Sequence, residues 1–316
     1  MNNNRKPPER PEDPTTPVTV KFTGNITEIR YCGRTTSNPI RKIDQDHGLD
    51  IRTGEILEFH HTQNRSENKA GVAQSLKRLR DIINTNLTNP HTALWVTLTY
   101  RENMTDPKRL YEDYRRFWLR FRYYLEKRNL PPAEYIAAAE PQGRGAWHLH
   151  CLFFFPKRAP FVPNEDMARL WRNGFTKTKS LKGIDNPGLY LTAYLGDMEL
   201  EEAINAGCSI GTIVEVESRD TSQSHQKKAI AKGARLCLYP SGFNLYRCSQ
   251  GIRRPVILQT TEAEAQKLVG SAPLVFEKTS VLTDAEGNLL NFFHYRQYNR
   301  AKKPDDAPDQ TEMPTC

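Results

Sequence analysis

Residues 140–155 read EPQGRGAWHLHCLFFF, and this stretch decides the fold of the central region. The strand-like pieces Glu134–Glu140 and Ala146–Phe155 flank a turn over Gln142–Gly145, in which glycines allow a tight reversal. Because both pieces carry strand-forming residues and the connection is short, they predict a β-hairpin.

Two histidines of this hairpin lie one strand period apart. Alternate residues of a strand face opposite sides, so His148 and His150 point the same way, and Glu140 on the partner strand can reach the same place. Two imidazoles and a carboxylate can hold one divalent cation and leave coordination positions open. The donor types would also suit zinc or iron. Ordinary polar positions on an outer sheet face remain the alternative interpretation.

The hairpin is preceded by a strand and a long helix. The alternating stretch Ala93–Tyr100 (ALWVTLTY) predicts the strand. The helix is predicted from Pro107 to Arg128, with Asp106 as its N-cap. Its apolar side chains recur at helical spacing and predict a buried stripe of Leu110, Tyr114, Phe117, Phe121 and Tyr124.

Further helices are predicted over residues 66–87, over Asn164–Trp171 and after Pro187. A basic strand or loop over Gly174–Lys182 separates the last two. Strands interspersed with helices in this order predict an α+β fold, with a central antiparallel sheet and helices on one face.

The composition suggests five segments along the chain. Residues 1–17 and 301–316 are rich in Pro, Asn and charge and are expected to be disordered tails. Residues 18–90 form an expected accessory region, residues 91–197 the core, and residues 198–300 a basic C-terminal region expected to contact DNA.

Length, charge and cysteine use narrow the class of protein. The 316 residues carry a formal net charge of +8, which favours a polyanionic partner. No stretch approaches the ~20 apolar residues of a spanning helix, and the start lacks the apolar core of a signal peptide. We therefore expect no membrane partner and a cytoplasmic location. The six cysteines form no CxxC pair and are expected to be reduced thiols.

Two basic regions are candidate DNA contacts. Cations would bind phosphates and aromatic rings would stack on bases, although solvated charged faces have the same composition. Residues 223–254 hold seven Lys and Arg and no acid. The candidates before the last helix are Trp171, Arg172, Phe175, Lys177, Lys179 and Lys182. Those in the C-terminal region are Lys228, Lys232, Arg235, Arg247, Arg253 and Arg254.

Two tyrosines occupy the helix after Pro187, in the sequence YLTAY. Tyr190 and Tyr194 are four residues apart and share one helix face, a spacing that is usually explained by packing. A phenol is a poor nucleophile at neutral pH, but it can attack a phosphodiester if a metal ion polarises the phosphate.

The order and spacing of three motifs closely resemble the HUH endonucleases. The motifs are the strand Thr97–Tyr100, the histidine stretch Glu140–His150 and the tyrosine helix Tyr190–Tyr194. The nearest group is that of the rolling-circle replication initiators of the ORF2 and filamentous-phage gene II type. The resemblance covers roughly residues 91–256.

The resemblance implies a function and a mechanism. It implies Mg²⁺ or Mn²⁺ bound by His148, His150 and Glu140, and Tyr190, Tyr194 or both as nucleophile. It also implies a ferredoxin-like sheet with the histidines on its open central face. The expected reaction nicks single-stranded origin DNA, leaving a 5′-phosphotyrosine and a free 3′-OH. A host helicase and polymerase in a bacterial cell are the expected partners, because no phosphate-binding loop of a helicase occurs in the sequence.

One motif departs from the family's pattern. Many relatives carry lysines in a YxxKYxxK arrangement, where this chain has Ala193 and Asp197. Lys177, Lys179 and Lys182 are candidates to replace those lysines.

Other functions fit part of the sequence. Relaxases usually place the tyrosine ahead of the histidines, and HUH transposases are generally shorter with one tyrosine. A non-catalytic nucleic-acid-binding module would explain the charge and the sheet, but not Glu140, His148 and His150 together. A zinc hydrolase would need further ligands shortly after His150.

Overall fold

The structure is a computed structural model in which two compact units are distinguished. The central unit comprises residues 62–253, and the terminal unit combines the chain up to residue 61 with the chain from residue 254 onward. None of the described helices has the length and apolar character that a membrane crossing requires. The structure describes residues 13–34, 38–182, 184, 186–217, 227–284 and 286–302.

The elements are numbered in chain order. The strands are β1 Pro17–Thr23, β2 Ile26–Cys32, β3 Ile40–Lys42, β4 His47–Asp50, β5 Ile56–Glu58, β6 Ala93–Tyr100, β7 Glu134–Pro141, β8 Trp147–Phe154, β9 Gly174–Lys179, β10 Met198–Glu199, β11 Ile213–Glu217, β12 Lys227–Ala231, β13 Tyr246–Cys248, β14 Val256–Thr261, β15 Leu274–Thr283 and β16 Leu289–Asn299. The helices are α1 Lys69–Asn86, α2 Pro107–Lys127, α3 Asn164–Trp171, α4 Pro187–Gly196, α5 Leu200–Asn205 and α6 Glu262–Val269.

The centre of the central unit is an antiparallel sheet in the order β13-β7-β8-β6-β9. The predicted hairpin is present as β7 and β8. Its turn closes with a hydrogen bond from Gln142 N to Ala146 O, and Gly145 has a φ of 84°. Because few residues other than glycine adopt a positive φ readily, this position explains the second glycine of the GRG sequence.

Helix α2 covers one face of this sheet. The Asp106 side chain caps its first turn by accepting from Lys108 N. The predicted apolar stripe is buried, with Phe117 and Phe121 packed against Phe153 of β8. The periodicity of the sequence therefore identified this layer correctly.

The opposite face is covered in part by α1 and α4. Trp95 and Leu152 of the sheet pack there in one cluster with Ile83 of α1 and Leu191 of α4. The α+β class with antiparallel sheets is confirmed, but helices lie on both faces rather than on one. The reason is that the histidine face also carries large apolar side chains, which must be removed from water.

The terminal unit contains a second antiparallel sheet, in the order β14-β1-β2-β16-β15. Helix α6 packs on it, with Ala265 and Val269 against Val20 and Ile29. A small sheet of β3, β4 and β5 belongs to the same unit. Strands from opposite ends of the chain thus share one core.

The structure groups the segments differently from the linear division expected from the sequence. Strand β14 pairs with β1, β13 pairs with β7, and α1 packs against α4. Pairing between distant segments cannot be read from local composition, so boundaries at residues 90, 197 and 300 do not delimit the compact units. Pro17 already belongs to β1, and of the expected tails residues 1–12 and 303–316 lie outside the described residues.

The expectation of reduced thiols is wrong at two cysteines. Cys208 and Cys237 form a disulfide with their Cα atoms 6.0 Å apart. Their separation of 29 residues follows no short motif, so the pairing depends on the fold. Cys32, Cys151 and Cys248 are thiols.

Candidate active site

Strand pairing assembles the candidate site across three strands. Glu140 of β7 lies directly opposite His148 of β8, and His150 follows on the same face. On the other side of β8, Thr99 lies opposite His148 and Thr97 opposite His150. Since paired residues of an antiparallel sheet share a face, all five side chains belong to one surface.

Hydrogen bonds connect the acid to its neighbours. His150 Nε2 contacts Glu140 Oε2 in a very short hydrogen bond, and His150 Nδ1 lies 3.3 Å from Thr97 Oγ1. The other Glu140 oxygen, Oε1, lies 3.0 Å from the guanidinium of Arg235. Glu140 and His150 are 7% and 5% exposed, so these groups interact away from bulk water.

Burial and charge set the ionisation of the site. Burial lowers the pKa of His148 to about 4, against the opposing effect of Glu140. Burial would raise the pKa of Glu140, but the hydrogen bond from His150 and the charges of His150 and Arg235 lower it. At neutral pH the site therefore offers a carboxylate beside a neutral imidazole.

The donor set fits a divalent cation, although the donors are not arranged as a ready cluster. Among the described residues, no three His, Cys, Asp or Glu side chains converge as a metal site. The reason is visible at Glu140, whose two oxygens are engaged by His150 and Arg235. His148 Nε2, however, is buried without a hydrogen-bond partner among the described residues. An unsatisfied imidazole nitrogen beside a carboxylate and a second imidazole is a donor set that Mg²⁺ or Mn²⁺ could use.

The tyrosine helix α4 lies beside these histidines. The hydroxyls of Tyr190 and Tyr194 are 2.9 Å apart, and the Tyr194 ring centre is 5.6 Å from that of His150. Trp95 of β6 contacts the rings of Tyr190, Tyr194 and His150, at centroid distances of 5.4, 5.9 and 6.0 Å. The structure therefore brings together the predicted ligands and the predicted nucleophiles.

Helix α1 fixes the start of α4. The Asn84 side chain donates to Asn186 Oδ1 and accepts from Gly188 N, each at 3.1 Å. A Cβ on Gly188 would lie 2.6 Å from Arg80 O, so only glycine permits this close approach. The accessory region expected from the sequence thus contains a helix that braces the tyrosines.

Three of the predicted DNA-contact residues border the site on β9. Phe175 pairs with Thr99 and Lys177 with Thr97, so their side chains lie on the histidine face. Lys179 Nζ lies 5.3 Å from the Tyr194 ring centre. Of the lysines suggested to replace those missing from the tyrosine motif, Lys179 is thus placed against a tyrosine.

Trp171 is wrongly predicted as a DNA contact. It is fully buried, packs against Tyr100 and Phe117, and donates its indole N–H to Thr99 O at 3.0 Å. Its neighbour Arg172 is exposed, as is Lys182. The apolar spacing of α3 is the signal that would have assigned Trp171 to the core.

The C-terminal candidates are largely engaged within the protein. Arg235 is 6% exposed, so it is wrong as a DNA contact. Lys228 pairs with Glu199 and Lys232 with Asp197, at 2.5 and 2.7 Å. The remaining candidates have other surroundings: the Arg247 guanidinium stacks 3.6 Å from the Tyr111 ring centre, Arg253 donates to Thr85 O, and Arg254 is an exposed residue of the terminal unit.

Three residues of the site escaped prediction. Trp95 and Thr97 share the histidine face, and the alternation of Ala93–Tyr100 could have placed them there. The role of Arg235 has no signal in the sequence, since it depends on a contact 95 residues away from Glu140 (235 minus 140).

The fold and the site together define an α+β domain in which tyrosines on a helix face an acid and histidines on an antiparallel sheet. Residues 93–199 match the model of a family of replication-associated proteins, described by its ORF2 and phage gene II protein members, which confirms the resemblance found in the sequence. The chain therefore carries a replication-associated domain of the ORF2 and gene II protein type. Comparisons with curated proteins and with solved structures gave no significant match.

Proposed function

We propose that this protein initiates rolling-circle replication by nicking single-stranded origin DNA through a tyrosine. The observation that carries the proposal is the contact between the Tyr194 ring and His150, which puts a phenol beside the pair of Glu140 and His150. A tyrosine pair used solely for packing would not need its hydroxyls next to a sheet face that carries two histidines and a buried acid.

In the proposed reaction, one phenol oxygen forms a bond to phosphorus while the bond from phosphorus to the 3′ oxygen breaks. The phenol loses its proton, and the leaving 3′ oxygen gains one to become a hydroxyl. A divalent cation, Mg²⁺ or Mn²⁺, held by His148, His150 and Glu140 would polarise the phosphate and stabilise its charge. The second tyrosine would carry out the reverse transfer, because the phosphotyrosine conserves the energy of the broken bond.

The protein's own groups support this chemistry. The hydrogen bond between Tyr190 and Tyr194 gives the reacting phenol a partner that can share its proton. The ammonium of Lys179, near the Tyr194 ring, favours developing negative charge on the phenol. Phe175, 64% exposed on the same face, offers a ring for an unpaired base.

The test is a covalent adduct. We expect labelled single-stranded oligonucleotide and Mn²⁺ to give a protein–DNA adduct that survives SDS and disappears with EDTA. Adducts should be absent in the double variant Tyr190→Phe with Tyr194→Phe, while the single variants assign the first nucleophile. Tyr123→Phe, at an exposed tyrosine of α2, is the matched control and should behave as wild type.

Two outcomes would contradict the proposal. Adducts that persist in the double tyrosine variant would remove the nucleophile assignment. Normal nicking by His148→Ala with His150→Ala would remove the metal assignment. Specific binding of single strands without any adduct would instead identify a non-catalytic binding protein.

We further propose a host helicase and polymerase as partners in a bacterial cell. A nick with a free 3′-OH primes synthesis, and the parental strand must then be displaced. Strand separation by the purified protein with ATP alone would contradict the need for a host helicase.

A further inference from the structure

The segment Lys232–Tyr239 lies outside the matched residues 93–199 but contacts the elements of the candidate site. It follows β12 and contains a 3₁₀ turn over Ala234–Leu238. We call it the clasp. Its contacts reach both β7, which carries Glu140, and the C-terminal end of α4.

Arg235 of the clasp makes three kinds of contact at once. Its guanidinium lies 3.0 Å from Glu140 Oε1, donates to Pro141 O at 2.7 Å, and donates through Nε to Asp197 O at 3.0 Å. A further carboxylate oxygen, of Glu202, lies 3.6 Å away. One buried side chain therefore connects the acid of the site with the residue that ends the tyrosine helix.

Tyr239 forms a second connection between the same two elements. Its buried hydroxyl lies 2.8 Å from Ala139 O on β7 and 3.1 Å from Leu195 O on α4. Asp197 in turn accepts from Gly233 N and pairs with Lys232, which holds the clasp against the end of α4. Both buried residues thus span the gap between the strand of the acid and the helix of the tyrosines.

We propose that Arg235 is a positioning residue that orients the Glu140 carboxylate and keeps it in register with the tyrosine helix. The guanidinium suits this role because its donors form a rigid planar fork, which can serve a carboxylate and two carbonyls simultaneously. A lysine has one nitrogen and cannot reproduce the set. The inference rests on the proposed function, since Glu140 matters here as a ligand.

Positioning and charge make opposite predictions for cation binding. If Arg235 acted through its charge alone, its removal would strengthen Mn²⁺ binding, because a nearby positive charge repels the cation. If it positions Glu140, its removal leaves the carboxylate without its anchor and weakens Mn²⁺ binding. The sign of the change therefore separates the two roles.

The experiment compares Arg235→Met and Arg235→Lys with wild type. Mn²⁺ binding is measured by the electron paramagnetic resonance signal of the unbound ion, without DNA or activity. Adduct formation is measured at saturating Mn²⁺, and oligonucleotide affinity in EDTA. Arg247→Met, at an exposed arginine, is the control, and thermal unfolding reports whether each variant is folded.

We expect both variants to bind Mn²⁺ about tenfold more weakly or worse and to form adducts at least about tenfold more slowly. Oligonucleotide affinity should stay within about twofold, since a buried guanidinium contributes little to phosphate binding. Tyr239→Phe removes the second connection without changing charge. It should slow adduct formation while leaving Mn²⁺ affinity as in wild type, and it keeps the test available if Arg235→Met fails to fold.

Tighter Mn²⁺ binding by Arg235→Met, or wild-type behaviour of Arg235→Lys, would overturn the positioning role. A loss confined to oligonucleotide affinity would make Arg235 a DNA contact instead. These results leave the proposed function standing, because wild-type adducts test it separately. If wild type binds no Mn²⁺, the metal assignment falls and this inference falls with it, whereas the tyrosine variants still decide the nucleophile.

Discussion

Strand β9 and the stretch Lys227–Arg254 are both rich in lysine and arginine, but their surroundings differ. Among the described residues, no carboxylate forms an ion pair with Lys177 or Lys179 of β9. In the C-terminal stretch, Glu199 and Asp197 neutralise two of the lysines. A window without acids in the sequence is therefore not a basic surface, because folding brings acids from other segments.

The sequence WRNGF, residues 171–175, shows the same contrast over a shorter distance. Trp171 ends α3 inside the core, whereas Phe175 lies near the start of β9 and is 64% exposed on the histidine face. Gly174 separates them, and a Cβ there would lie 2.3 Å from Thr99 O. Two aromatic residues that look alike in the sequence therefore have different roles.

The largest expected effect tests this pair of aromatic residues. Trp171→Ala should lower the free energy of unfolding by about 3–5 kcal/mol, because it empties a packed core. Phe175→Ala should leave stability within about 0.5 kcal/mol of wild type, as for most surface substitutions. Urea denaturation of both variants measures the difference, and equal stability losses would contradict it.

Oligonucleotide binding reverses the order of the two aromatic residues. Phe175→Ala should weaken binding of single strands by about 1–3 kcal/mol, if the ring stacks on a base. Any Trp171→Ala protein that remains folded should bind within about twofold of wild type, because the indole is out of reach of DNA. Fluorescence anisotropy at one salt concentration checks both.

An effect of similar size tests how dry the histidine face is where β9 borders it. In protein kept free of metal with EDTA, the folded state holds His148 with a pKa of about 4, below the ordinary 6.5. Between these values the unfolded chain binds a proton that the folded chain does not. The free energy of unfolding therefore falls as pH drops from 6.5 to 4, by up to about 3 kcal/mol.

Denaturation curves between about pH 7 and pH 4 measure this loss. His148→Gln should show a shallower dependence on pH than wild type. His91→Gln, at an exposed histidine, is the matched control and should follow wild type. Identical slopes for all three proteins would mean that His148 is solvated.

The smallest expected effect compares the two basic regions directly. Lys177→Ala with Lys179→Ala should reduce the slope of log affinity against log salt by about 1.4, since each contact to single-stranded DNA contributes about 0.7. Lys228→Ala with Lys232→Ala should change the slope by less than about 0.3, because carboxylates already hold these ammonium groups. Equal slopes for both double variants would end the distinction between the regions.

Much of the central fold follows from local pattern. The alternation of Ala93–Tyr100, the helical stripe after Asp106 and the two strands around Gly145 each correspond to an observed element. The α+β class was predictable for the same reason, since these periods reflect which side chains must leave water. The helices on the second face were not placed correctly, because their packing partner is chosen by tertiary contacts.

The sequence by itself determined that His148 and His150 share a face, that Tyr190 and Tyr194 share another, and that Glu140 lies on the strand paired with the histidines. Strand and helix geometry repeat over a few residues, so local spacing contains that information. Only the tertiary structure decided that Arg235 serves Glu140 rather than DNA and that Trp171 is buried. The physical reason is that these outcomes depend on contacts between segments far apart in the chain, which no local period encodes.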